Sequence, residues 1–386
     1  MKIYKILPYF IIILLLSSFF VFNNKHVKAS ELDENIKEQV EDLDLSSMQD
    51  FFDNIEKDNS INFYTLFDNL LNGEYDLDYN SVLGYIKNIF TPQINKLLPS
   101  FITIIAIGIF CAIINSIKSS FLSDGISEII FFVTFLVALG IIFIHFSNIF
   151  NETKIVIENI AKLTEIMSPI ILTLMVASGG NVSAGIYKPA AMFLSQGIIT
   201  IILNVILNLI FVMTIFSVLS NFSSSVKLKK YAEFFQSIIK WIIGIIVTIF
   251  GIFLTVQGIA SATFDGISIK AAKYAISNSV PLIGGFLKDG FDLVVAGSVI
   301  IKNSIGITAV FALFYLMISP LACFFSLNIL LKITSATLDF FGNSRISELC
   351  AQVSKSVSYL MVALLTVALM LFILVLLMIF SANAFI

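Results

Sequence analysis

Between Lys96 and Lys118 stand 21 residues without a single charged side chain, and comparable runs recur along the chain. Glu128 to Glu152 encloses 23 uncharged residues, Lys188 to Lys227 encloses 38, Lys240 to Asp265 encloses 24 and Lys302 to Lys332 encloses 29. Beyond Lys355 the last 31 residues carry no charge. About 20 helical residues cross the roughly 30 Å of bilayer hydrocarbon, so each run predicts a transmembrane helix. Lipid offers no partner to exposed N–H and C=O groups, and a helix satisfies them within one segment. Hydrophobic residues make up 58% of the chain and charged residues 13%, the latter about half the share of a soluble domain. The expected fold class is an all-α polytopic membrane protein with six transmembrane helices.

The N-terminus has the layout of an export signal. Lys2 and Lys5 precede the apolar run Ile6 to Val21, and Val27 and Ala29 stand at the −3 and −1 positions of a cleavage site. A run of 16 residues is short for a spanning helix, so residues 1–29 read as a signal peptide. Residues 30–96 form an acidic extracytoplasmic segment, with 15 acidic residues and 4 lysines after Ser30. Phe51, Phe52, Ile55, Phe63, Leu66, Phe67, Leu70 and Leu71 recur at helical spacing and predict short amphipathic helices. They suit a solvated cap or a docking surface for an extracytoplasmic partner. Residues 97–386 are the multi-spanning membrane domain.

Two segments between the runs are broken. In "SPIILTLMVASGGNVSAGIYKP", Pro169 opens an apolar stretch that ends in Ser178, Gly179, Gly180 and Asn181. Ile170 to Ala177 is too short to span, which predicts a re-entrant or interfacial helix–turn entered from the outer side. "SNSVPLIGGFLKDGFDLVVAGSVIIKNSIG" repeats the layout, with Pro281, Gly284, Gly285 and then Lys302. Span, broken segment, span thus occurs twice in the same orientation. That describes a parallel internal repeat, an arrangement that points to a site between the halves; close helix packing through small residues is the simpler use of the same glycines. If neither broken segment crosses, Lys118, Lys227, Lys229, Lys230, Lys240, Lys332, Arg345 and Lys355 all face inward. The positive-inside rule favours that scheme, which leaves both termini extracytoplasmic.

Sites for chemistry are sparse. The sequence holds no zinc-binding His/Glu pair, Walker loop or dinucleotide fingerprint. His145, near the outer end of its span, suits an interfacial position better than catalysis, and Trp241 is an ordinary boundary anchor. Cys111, Cys323 and Cys350 read as free thiols packed as small hydrophobes. Asn204 and Asn208, four residues apart in "IILNVILNLIF", are expected to bond neighbouring helices. No catalytic residue, metal, cofactor or nucleic-acid partner is expected. One function open to such a chain is a small-solute permease, with its site between the two Pro/Gly-Gly segments.

The signal, the acidic segment and the spans, and above all the two quoted segments, resemble the stage III sporulation protein AE family of endospore-forming bacteria. The resemblance implies a non-enzymatic protein of the mother-cell membrane surrounding the forespore. It would work in the trans-envelope channel, or feeding-tube complex, that sustains forespore development and late gene expression. Implied partners are the other stage III sporulation A-complex proteins, including an ATPase and ring-forming subunits, and the forespore-side channel protein.

Overall fold

A computed structural model describes residues 36, 38–40, 45–55, 67–69, 79–121, 124–222, 228–279 and 284–381. The expected signal peptide, Phe63, Leu66, Leu70, Leu71, Pro281 and the last five residues lie outside them. The main elements are α1 (Ser46–Ile55), α2 (Tyr79–Phe121), α3 (Asp124–Ala177) and α4 (Asn181–Met192), then α5 (Leu207–Phe222), α6 (Lys229–Ser279), α7 (Gly284–Phe340) and α8 (Ser344–Phe380). Between α4 and α5 the π turns Phe193–Ile198 and Ile202–Ile206 flank a short α-helical link, Ile199–Ile201. Six segments are long and apolar enough to cross a membrane: Lys87–Ile114, Glu128–Ala177, Asn181–Asn221, Lys229–Thr255, Asp292–Phe340 and Ser344–Phe380. Each contains most or all of one uncharged run, and the chain is a multi-pass helical membrane protein.

α8 is the central helix. Its buried positions occur all round, from Ile346 to Ile379, as expected for a helix apolar on every side. α7 packs along it most extensively, and α3 and α5 pack on further faces. Point contacts fix the directions. Arg345 at the start of α8 lies over the Phe131 ring at 4.9 Å, whereas Ser381, just past its end, meets Met175. α3 and α8 therefore run the same way. α7 runs opposite, with Lys302 at Ser381 and Ser335 at Ser347. Asn221 at the end of α5 reaches Gln352 at 3.0 Å, so α5 is also antiparallel to α8. Gly306 lets α7 approach α8 closely, since a Cβ there would stand 2.4 Å from Ile379.

The helix–turn expected after Pro169 does not start as a separate short element but as the end of α3. α3 continues unbroken through this segment for 54 residues in all, roughly 80 Å at 1.5 Å per residue. Charge interrupts only one face. Val156 is buried, and from Ile157 the buried positions Ile160, Leu163, Met167, Ile171 and Leu174 follow at three- and four-residue steps, while Lys154, Lys162 and Glu165 lie on the exposed side. The break is confined to Ser178–Gly180. On the acidic segment, Phe51, Phe52 and Phe67 are buried, and α1 packs against α3. Gln39 donates to the Val294 carbonyl at 3.2 Å and accepts from Ser298 Oγ at 2.8 Å. The compositional boundary after Lys96 falls inside α2.

Candidate functional site

The turn between α3 and α4 is built on glycine. Gly180 N–H donates to the Met175 carbonyl at 2.7 Å and Gly179 N–H to the Val176 carbonyl at 2.9 Å, the paired bonds of a Schellman cap. Gly179 takes φ +87°, a region that disfavours any Cβ. Gly180 then stands at the N-cap of α4. Ser178 is buried, and its Oγ donates to the Met175 carbonyl at 2.9 Å. Asn181, exposed, begins α4.

Below this turn a groove of about 640 Å³ separates the two arms. Glu165, Ser168, Pro169 and Thr173 line the α3 wall, and Asn181, Gly185 and Lys188 line the α4 wall. Both arms carry a proline inside the helix, Pro169 and Pro189. Neither can donate an N–H to the carbonyl four residues back, which belongs to Glu165 in one arm and Gly185 in the other. Both of those residues face the groove. A Cβ on Gly185 would meet nothing within 4 Å. Ser168 Oγ is buried without a hydrogen-bond partner among the described residues. The groove thus sets one charge of each sign, Glu165 and Lys188, and two residues whose carbonyls lack a helical donor among apolar walls.

A second cavity, of about 630 Å³, lies between α2, α3 and α7 and has the same construction. Pro92 and Pro320 sit inside their helices and leave without a helical donor the carbonyls of Asn88 and Leu316, both lining residues. Gln93, Glu152, Asn159, Tyr315 and Ser319 add polar groups. No charge gap marks this cavity, because its residues come from distant parts of the chain. The prolines, each falling within a long apolar helix, were the available signal.

Gly284 and Gly285 open α7, on the far side of the undescribed Pro281. Asn204 and Asn208 show no bond to another helix among the described residues. Both are exposed, and Asn208 Nδ2 donates to the Asn204 carbonyl of its own strand of helix at 2.6 Å. Polarity within an apolar run does not tell which way a side chain faces. Helix–helix polar contacts fall elsewhere: Asn221 on Gln352, Gln236 Nε2 on Tyr359 Oη at 2.6 Å, and Asn328 between Ser354 and Ser358. Lys302, named in the sequence only as a flanking lysine, is fully buried and donates from Nζ to the Ser381 carbonyl. A cation there meets the negative end of the α8 dipole. His145 stacks on Phe101, with ring centroids 5.9 Å apart. Cys111, Cys323 and Cys350 are free thiols. Among the described residues no three His, Cys, Asp or Glu side chains gather where a metal could sit.

Long apolar helices, a buried central helix and proline-opened grooves define a multi-pass α-helical membrane protein whose polar groups line clefts. The pattern of the stage III sporulation protein AE family matches residues 61–382, and the chain belongs to that family of sporulation membrane proteins. It is 28% identical over 281 residues to "Stage III sporulation protein AE" of Bacillus subtilis (strain 168), covering 73% of this chain and 70% of the relative. No solved structure matches.

Proposed function

We propose that this chain is the polytopic membrane component of a trans-envelope channel complex between mother cell and forespore, where it acts in assembly and conduction and not as a catalyst. The family match over residues 61–382 carries the reading. On this reading it resides in the mother-cell membrane around the forespore. Its partners are the other stage III sporulation A-complex proteins and the forespore-side channel protein. The groove beneath Gly179 and Gly180, with one charge of each sign, is the surface through which it engages a neighbour or a passing solute. Deletion should allow engulfment to begin but leave small forespores without late gene expression and without heat-resistant spores. Pull-down of the tagged chain from sporulating cells should recover the A-complex proteins. Normal heat-resistant spore counts in the deletion strain would overturn the reading. His145→Gln should leave spore counts unchanged, and their loss at normal protein level and insertion would overturn the non-catalytic part.

A small-solute permease is the second reading, favoured by the two cavities opened by paired prolines. It differs in its outcome: Asn181→Leu and Glu152→Gln would abolish solute movement while co-purification with partners persisted.

A further inference from the structure

Asn208 stands near the middle of the uncharged run between Lys188 and Lys227, yet its side chain is exposed on the surface of the bundle. It belongs to a regular stripe. Ile201, Val205, Asn208, Ile215 and Leu219 are exposed and Val212 is partly so. From Asn208 to Leu219, inside α5, the spacing alternates four and three residues as in a coiled-coil seam, Ile201 and Val205 continue the stripe across the preceding π turn, and most of the six are β-branched. Asn204, one turn before Asn208, is exposed as well, and Asn side chains on such a face hydrogen-bond across helices in a membrane.

Lipid provides no hydrogen-bond partner, so interhelical amide pairs are a favoured way to satisfy Asn in a membrane. The bond from Asn208 Nδ2 to the Asn204 carbonyl uses one of the amide's two N–H groups. It steadies the side chain and leaves an N–H and the Oδ1 acceptor for a neighbour. Copies of one membrane protein share an orientation. A twofold axis along the membrane normal therefore brings position 208 level with position 208, and an amide, being both donor and acceptor, is complementary to itself. The stripe carries no charge to select a different partner.

We propose that two copies of this chain pair in parallel along the Ile201–Leu219 stripe, with the two Asn208 amides hydrogen-bonded across the twofold axis. The pairing is independent of the channel reading, because its readout is association of the chain with itself.

The test uses the full chain in native membranes, with Cys111, Cys323 and Cys350 replaced by Ala and one new cysteine at a time. Mild oxidation of Val205→Cys, Asn208→Cys, Val212→Cys and Ile215→Cys should give covalent dimers. Their yield should be at least fivefold above that of Ile252→Cys, which is exposed on α6, and of Ile210→Cys, which is buried. Adding Asn208→Leu to Ile215→Cys should lower the dimer yield at least threefold, and Asn208→Gln should lower it less. Equal yields at all exposed positions, no dimer from the stripe, or links only to a chain of different size would overturn the proposal. Should the cysteine-free chain fail to insert, co-purification of two differently tagged copies with native cysteines decides: recovery must fall at least threefold with Asn208→Leu, and unchanged recovery overturns it.

Discussion

Gly179 and Gly185 lie six positions apart and behave oppositely. Gly179 holds φ +87° at the hairpin turn, where an L side chain costs roughly 1–2 kcal/mol. Gly185 is inside α4, with open space where its Cβ would stand. Gly179→Ala should therefore lower the midpoint of thermal unfolding in detergent. Gly185→Ala should raise stability by about 0.5–1 kcal/mol, since Gly inside a helix is worse than Ala by that amount, while narrowing the groove. A stabilised Gly185→Ala chain that still fails to restore spores to a deletion strain would separate the groove's use from its folding. Ser168→Ala makes the complementary test. Its Oγ has no hydrogen-bond partner among the described residues, so stability should stay within about 1 kcal/mol of the parent. A drop in heat-resistant spores without a drop in thermal midpoint would mark the groove wall at Ser168 as needed for function and not for folding.

Among the elements, the long helices are legible because charge is so costly in hydrocarbon that its absence writes the spans into the sequence. Their ends are less legible. Glu152, Lys154, Glu158, Lys162 and Glu165 punctuate α3 without ending it. Charge spacing marks where a helix leaves the lipid, whereas the buried steps from Val156 to Leu174 show that the helix goes on. The turn glycines were visible as Gly179 and Gly180. A similar cap at Gly342, φ +83°, has no such signal in the sequence, because one glycine beside Asn343 makes no conspicuous cluster. Sidedness was invisible, as Asn204 and Asn328 illustrate. Asn328→Leu should leave the Ser354 and Ser358 hydroxyls without this partner and destabilise the α7–α8 contact by about 1–3 kcal/mol. Asn204→Ala, on an exposed face, should shift the unfolding midpoint of the detergent-solubilised monomer hardly at all.

Across the whole molecule, successive long helices alternate in direction, so the α3–α4 turn and the α5–α6 connection lie at opposite ends of the bundle. Cysteines introduced as Asn181→Cys and Lys230→Cys, in a background lacking the native thiols, should react with an impermeant reagent from opposite faces of the membrane. With the positive loops inward, Asn181→Cys is the one labelled from outside. Labelling of Lys230→Cys in intact cells would reverse the orientation, and labelling of both from one side would remove the alternation itself.

The pairing of α3 with α8 has a mechanical consequence. The two helices run alongside each other and touch near both extremities, at Phe131 with Arg345 and at Met175 with Ser381. Packed protein interiors yield little to compression. A load applied to the α3–α4 tip should therefore be shared between α3 and α8 along this seam instead of bending the tip alone.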